Sequence, residues 1–258
     1  MSKKKYFLSA IIISLFLFNI THAQNSLKLT KQQWLEDLHY AAKTLIDKHP
    51  DIFYRISEDD FKRTIVRAEQ KIKRSQADEE CLIAIRQVVA SIRDGHTRLG
   101  ANNLPGFRDI YPVRLYEFSD GIFITGIAEK YKKYVGAKVI KIGLFSAEEA
   151  FNRAGTLAFA DNEFSKKNQV PLIVIACKLA YGLGITETTD KLSLVVETTK
   201  GSHDEIILLS VTPPKANNML RGLDSGPDGI PFASAFYWHR KGTPFIYETP
   251  RWKSQLLV

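Results

Sequence analysis

The chain has 258 residues, 45% of them hydrophobic and 25% charged, with 15 glycines, 10 prolines and a formal net charge of +8. That makeup belongs to folded globular proteins and excludes a disordered or fibrous chain. Basic residues occur as scattered pairs such as Lys132-Lys133 and Lys166-Lys167, without the aromatic-interleaved stripe of a nucleic-acid-binding face, so no nucleic-acid partner is expected.

The first predicted element is a targeting segment. Lys3, Lys4 and Lys5 precede the uncharged, mostly apolar run Tyr6 to Ile20, and Thr21-His22-Ala23 closes it on a small residue. A positive start, an apolar middle and a small-residue site predict a secretory signal peptide over 1–23, cleaved before Gln24. The apolar run is shorter than the ~20 residues a spanning helix needs. The expectation is export to the periplasm or the extracellular space, with no stable membrane span after cleavage.

Residues 24–100 read as a helical N-terminal domain of three helices. Thr30 with Gln33 three residues on is a capping box, and Trp34, Leu35, Leu38, Ala41, Ala42, Leu45 and Ile46 follow at helical spacing. Pro50 stops that helix. A second starts at Ser57, with Asp60 three residues later and Phe61, Ile65, Ala68 and Ile72 on one side. The third opens on Asp78, Glu79 and Glu80, which suit the positive end of a helix dipole, and buries a stripe of Leu82, Ile85, Val88, Val89 and Ile92. Gly95 fits the left-handed residue that commonly ends a helix.

From 104 to 212 the pattern changes to short strands with helices between them. Leu104-Pro105 and Tyr111-Pro112 break any helix. Val113, Leu115, Ile122, Phe123, Ile124 and Ile127 read as strands around an Asp120-Gly121 turn. Tyr134–Ile142 is a further strand region, and Ser146 with Glu149 caps a short helix through Phe151. A helix is predicted from about Pro171 to Leu183, then two strands over Lys191–Thr198 and Glu205–Val211 joined by a turn at Lys200-Gly201-Ser202. Residues 213–258 begin with Pro213-Pro214 and carry two aromatic runs, Phe236–Trp238 and Phe245–Tyr247, among prolines, too broken to bury a core alone. The fold class is therefore α+β. Cys81 and Cys177 fall on apolar helix sides, which leaves buried free thiols and a disulfide both open. No C-x-x-C or H-E-x-x-H spacing supports a zinc site. His39 and His49, at the first helix, share no ligand spacing.

One string carries more than structure. Ile92-Arg93-Asp94-Gly95-His96-Thr97, an I-x-D-G-H-T at the close of a helical domain, resembles the tail-specific (C-terminal-processing) serine protease family. Trp34 with Asp37-Leu38 and His49-Pro50 add to the likeness. Gly136-Ala137-Lys138-Val139-Ile140-Lys141-Ile142, followed by Ala147-Glu148-Glu149-Ala150, is similar to a stretch of that family's PDZ-like domain. The resemblance implies a PDZ-like domain over 104–212. It makes 213–258 either an irregular tail or the start of a truncated catalytic domain, because the strand-and-helix domain that supplies the serine has no counterpart in this sequence.

On this resemblance His96 is the candidate general base, since an imidazole accepts and returns a proton near neutral pH. A triad also needs a hydroxyl and an orienting carboxylate, and neither is assigned; no G-x-S-x-G elbow occurs. The plain structural alternative is that Asp94 to Thr97 form a helix-terminating turn. Gly121, Ile122 and Phe123 are candidate substrate-binding residues, as a loop that receives a peptide carboxylate, against an ordinary Asp-Gly hairpin turn. The expected function is that of an exported protein resembling a tail-specific serine endopeptidase, without its nucleophile domain and inactive alone. The alternative is a non-catalytic, PDZ-like peptide-binding or interaction protein of the periplasm. The expected ligands are peptide or protein C-termini, with no cofactor and no metal.

Overall fold

The computed structural model describes residues 29–100, 107–212 and 232–234. The signal peptide expected over 1–23, the break at Leu104-Pro105 and the tail over 213–258, apart from 232–234, lie outside the described residues. The chain divides into two units between Leu99 and Gly100.

The first unit is helical: α1 (Lys31–Lys48), a 3-10 turn (Ile52–Tyr54), α2 (Glu58–Arg74) and α3 (Asp78–Ser91). The capping box is present, with the Gln33 N–H donating to Thr30 Oγ1 and the Thr30 N–H donating to Gln33 Oε1. α1 ends at Lys48 because His49, ahead of Pro50, is driven to extended backbone (φ −73°, ψ 131°). Ser57 caps α2 by accepting the Asp60 N–H, and Lys71, Lys73 and Arg74 close it on the negative end of the dipole. α3 departs from the single stripe read in the sequence. Cys81 through Arg86 and Val88 through Ala90 are all buried, because α1 and α2 both pack against it. A helix buried on nearly every side belongs at the centre of its bundle. Each fully buried side chain of this core, such as Leu38, Phe61, Ile72 or Ile83, contributes roughly 1.5–3 kcal/mol of transfer free energy. Trp34 donates its indole N–H to Asp78 Oδ1 (2.9 Å), tying α1 to the start of α3.

The second unit is an antiparallel sheet with helices against it, so the chain is α+β. Its strands are β1 (Val113–Phe118), β2 (Gly121–Ala128), β3 (Lys138–Ile142), the two-residue β4 (Phe145–Ser146), β5 (Lys191–Glu197), β6 (His203–Leu209) and β7 (Phe232–Ser234). The order is β1-β2-β3-β5-β6, with β4 paired to β3 and β7 to β2. β1 and β2 form a hairpin that pairs Phe118 with Gly121, which places the turn at Ser119-Asp120. β5 alternates strictly, burying Leu192, Leu194 and Val196, as a strand with one face on the core must. Tyr131, from the 3-10 segment Glu129–Tyr134, donates its hydroxyl to the Ile207 carbonyl (2.7 Å).

Three helices complete this unit: α4 (Ala147–Gly155), α5 (Glu163–Ile175) and α6 (Cys177–Gly182). Ser146 caps α4 by accepting the Glu149 N–H, while the Glu149 carboxylate turns to Arg153 (2.8 Å). The helix predicted from Pro171 to Leu183 is two helices, and it starts earlier. Asn162 caps α5 by accepting the Ser165 N–H (2.8 Å), and Pro171 lies inside the helix. The break at Ala176 has a tertiary cause. Ile110 forms a bridge with Ala176, the Tyr111 N–H donates to the Ile175 carbonyl (2.9 Å), and the Cys177 N–H donates to the Asp109 carbonyl (3.0 Å). Ile110 also exchanges two backbone bonds with Val211, each 2.9 Å. One short extended segment thus stitches the helical layer to the end of β6.

Gly143 sets the corner between β3 and β4. Its φ is +56°, and a Cβ there would stand 2.0 Å from the Ile185 carbonyl oxygen. Gly201, in the β5–β6 turn, also has positive φ (+80°) but faces open space. Gly143→Ala is expected to cost at least ~2 kcal/mol, the left-handed penalty plus displacement of a backbone oxygen. Gly201→Ala should cost about 1 kcal/mol, the backbone term alone. Urea midpoints of the two variants check the difference, and equal midpoints would show that the Ile185 approach constrains nothing.

Candidate functional site

The D-G-H-T turn is built on one carboxylate. α3 ends at Ser91, Ile92 is its C-cap, and Arg93 takes the left-handed conformation (φ +56°). Gly95, which the sequence reading placed in that role, is not among the positive-φ residues. The helix therefore terminates two residues earlier than expected, and the reversal is made by a residue with a Cβ. Such a conformation persists only where its surroundings over-determine it, and those surroundings are the contacts of Asp94.

Asp94 Oδ2 accepts the Thr97 hydroxyl (2.5 Å) and faces His49 Nε2 (3.1 Å); Oδ1 accepts the His96 backbone N–H (2.9 Å). The Thr97 hydroxyl first, then the His96 N–H, hold the carboxyl well below the ordinary carboxylate range, against a smaller opposing effect of burial; His49 adds to the lowering. Beyond the turn, Arg98 Nε donates to the Gly95 carbonyl. Arg86, buried in α3, donates to the Leu99 carbonyl. Burial pushes the Arg86 guanidinium down to about 10, which leaves it charged at neutral pH. The whole segment from Ile92 to Leu99 is thereby tied back to the bundle.

His96 projects from this fixed turn. Its side chain is 95% exposed, and Nδ1 lies 3.5 Å from Asp94 Oδ1. That separation is too long for a good hydrogen bond, yet close enough for the anion to favour a proton on Nδ1 and leave the Nε2 lone pair toward solvent. Chemically, the turn offers an exposed proton acceptor beside a carboxylate ionised across the neutral range. Ser91 is no nucleophile for it, since its hydroxyl donates to the Val88 carbonyl (2.7 Å).

His49 is the neighbour of the turn that the sequence does not pair with it. Its spacing from His39 predicts no ligand set, whereas the structure brings it to Asp94 across 45 residues. The available signal was His49-Pro50: a residue held extended before proline at a helix end has its side chain aimed by the backbone. His39 is separate, bonded to Glu69 (2.7 Å) on the exposed faces of α1 and α2.

Gly121, Ile122 and Phe123 are the first residues of β2, opposite Phe118, Glu117 and Tyr116 of β1, and Phe123 also pairs with Lys138 of β3. They are strand residues, and the hairpin turn precedes them. Phe118 meets Phe123 edge-to-face and Tyr116 at a tilt along this hairpin, with centroid separations of 5.6 Å and 4.6 Å. Cys81 and Cys177 are both buried and free. Burial pushes both thiols up, Cys177 to about 12, so neither supplies a thiolate nucleophile at neutral pH.

The helical unit thus ends in an exposed imidazole flanked by a carboxylate, and an antiparallel α+β unit follows it in the chain. No family model matches the chain, and no curated protein sequence matches it. Its fold is similar to that of CPAF, a chlamydial tail-specific-protease-like serine protease. With mature CPAF complexed with lactacystin, the likeness covers 71% of this chain and 35% of CPAF, at a TM-score of 0.52 and 15% identity. With a serine-to-alanine mutant of CPAF it covers 71% and 34%, at a TM-score of 0.52 and 14% identity. The chain spans about a third of the length of the CPAF chains it matches. Among the described residues, no helix is long and apolar enough to cross a membrane.

Asp94→Asn replaces an anion that accepts several donors by an amide that opposes two of them, and should cost about 1.5–3 kcal/mol. The depressed carboxyl contributes stability that is fully present above its unfolded value of about 3.9 and is lost as pH falls below that toward its folded value. The stability gap between wild type and Asp94→Asn should therefore be flat from pH 7 to about pH 4 and close only below it. Denaturation midpoints across that range check this, and a gap that closes near pH 6 would contradict it.

Proposed function

We propose that this chain is the base-presenting and substrate-handling part of an exported, tail-specific serine endopeptidase, in which His96 is the general base. The observation that carries the reading is the Asp94-centred turn, which leaves His96 95% exposed on an otherwise tied segment. The likeness of fold to CPAF supports it, as does the I-x-D-G-H-T string. Export rests on the signal-type N-terminus read from the sequence. In this reading the serine hydroxyl comes from outside the described residues, and without it His96 has no hydroxyl to activate and cannot open an amide.

In this reading the second unit is PDZ-like and takes peptide C-termini. The run from β3 through β4 to α4, with Ser146 as cap, is the portion whose sequence resembles that domain. β1 stands at one end of the strand order, so among the described residues no strand pairs with its outer side. A peptide added there would lie beside the hairpin that contains Gly121, Ile122 and Phe123, gaining main-chain bonds from the edge and side-chain contacts from the clustered aromatics. That open edge also favours the second reading, a non-catalytic periplasmic peptide-binding protein.

The deciding experiment uses the full chain. Peptides with a free C-terminal carboxylate should bind at least about tenfold more tightly than their amidated forms, the ~1.4 kcal/mol of one charge-assisted contact. Turnover should be undetectable. Equal binding of the two forms would remove the C-terminal specificity, and turnover blocked by a serine-directed inhibitor would place the nucleophile within this chain.

A further inference from the structure

We propose that His49 is a positioning residue for His96, acting through Asp94 as a neutral hydrogen-bond donor. The inference rests on His96 being the base of the reading above, and it assigns a role to a residue 45 positions before Asp94 in the chain. The protonation pattern of His49 follows from its surroundings. The Asp51 N–H points at His49 Nδ1 (3.2 Å), so Nδ1 must present its lone pair. In a neutral imidazole the proton then sits on Nε2, the atom that faces Asp94 Oδ2 at 3.1 Å. His49 therefore donates to Asp94 without needing a positive charge. The backbone enforces this pose, because Pro50 holds His49 extended at the end of α1 and sends the chain back so that Asp51 meets the ring.

The consequence passes through the two oxygens of one carboxylate. Oδ2 is occupied by two donors from either side, the His49 ring and the Thr97 hydroxyl. That pair fixes the rotation of the carboxylate and leaves Oδ1 for His96 alone, at its backbone N–H (2.9 Å) and opposite its Nδ1 (3.5 Å). A carboxylate free to rotate would average its attraction over the turn. One held at Oδ2 directs it at Nδ1, so the proton stays there and Nε2 remains the acceptor. Both His49 and Asp94 are shielded, with side chains 16% and 26% exposed, whereas His96 is 95% exposed. The arrangement orients the exposed ring from beneath.

The test reads imidazole tautomers directly, from nitrogen chemical shifts of the full-length chain with labelled histidine at about pH 8.5, above the ordinary imidazole range. In the wild type, His49 should carry its proton on Nε2 and His96 should favour Nδ1. Finding the His49 proton on Nδ1 would overturn the proposal with no variant needed. His49→Ala should lower the Nδ1–H to Nε2–H ratio of His96 roughly two- to fivefold, the scale of an exposed charge contact. His49→Gln, which keeps an N–H donor, should restore most of it. An unchanged ratio in a folded His49→Ala chain, or a lost ratio in a folded His49→Gln chain, would reduce His49 to a structural cap. None of these readouts uses peptidase activity. If the chain proves unable to serve a serine nucleophile while the tautomers behave as stated, the assignment of His96 as base fails and the positioning role of His49 stands.

Discussion

The turn that closes the helical unit is organised around a single ionised carboxylate. Asp94 sits where α3 has already reversed through a left-handed arginine, a conformation that side chains with a Cβ avoid. What holds the reversal is a set of donors converging on Asp94: a hydroxyl and a ring nitrogen at one oxygen, a backbone N–H at the other. Bonds to a charged acceptor are worth roughly twice their neutral counterparts, so this cluster can offset the one strained residue. The exposed imidazole inherits its position from that balance.

The second unit solves a different problem, how to join a helical layer to an antiparallel sheet. Ile110 does so with backbone bonds alone, bridging the gap between α5 and α6 on one side and the end of β6 on the other. Tyr111 beside it is fully buried, with its hydroxyl donating to the Thr188 carbonyl (3.2 Å). Nearby, Gln169 clamps both backbone groups of Phe159 (3.0 and 2.8 Å), which fixes the link between α4 and α5. These long-range bonds shape the unit more than local propensity does.

That contrast explains what could be read in advance. Thr30 with Gln33, Ser57 with Asp60, and Pro50 after His49 act within a turn of themselves, and their elements appear where the sequence puts them. The alternation of Leu192, Leu194 and Val196 is equally local. Pro171 misled because proline is read as a helix start, whereas Asn162 had already capped the helix and the true break at Ala176 is imposed by Ile110, distant in sequence. α3 reads as one-sided because a stripe of large residues dominates its pattern, while its small residues Ala84 and Ala90 are buried as well. At the site, the motif marked His96, and the structure places that side chain exposed on the turn. His49-Pro50 and the D-G-H-T string were both legible as motifs, but their pairing was not, since it spans 45 residues and neither segment encodes the other.

The account stands on the claim that Asp94 holds the turn rigid beneath an exposed ring. Exposure of the His96 side chain and protection of its own backbone N–H are then expected together, a combination rare in surface loops. Amide hydrogen exchange resolved at His96 in the intact chain measures this most directly. Exchange slowed at least about tenfold relative to an unfolded peptide, the ~1.4 kcal/mol of one hydrogen bond to a charged acceptor, is the predicted result. Exchange at the free-peptide rate would mean that the carboxylate does not hold the turn, and the basis for His96 as a presented base would be lost.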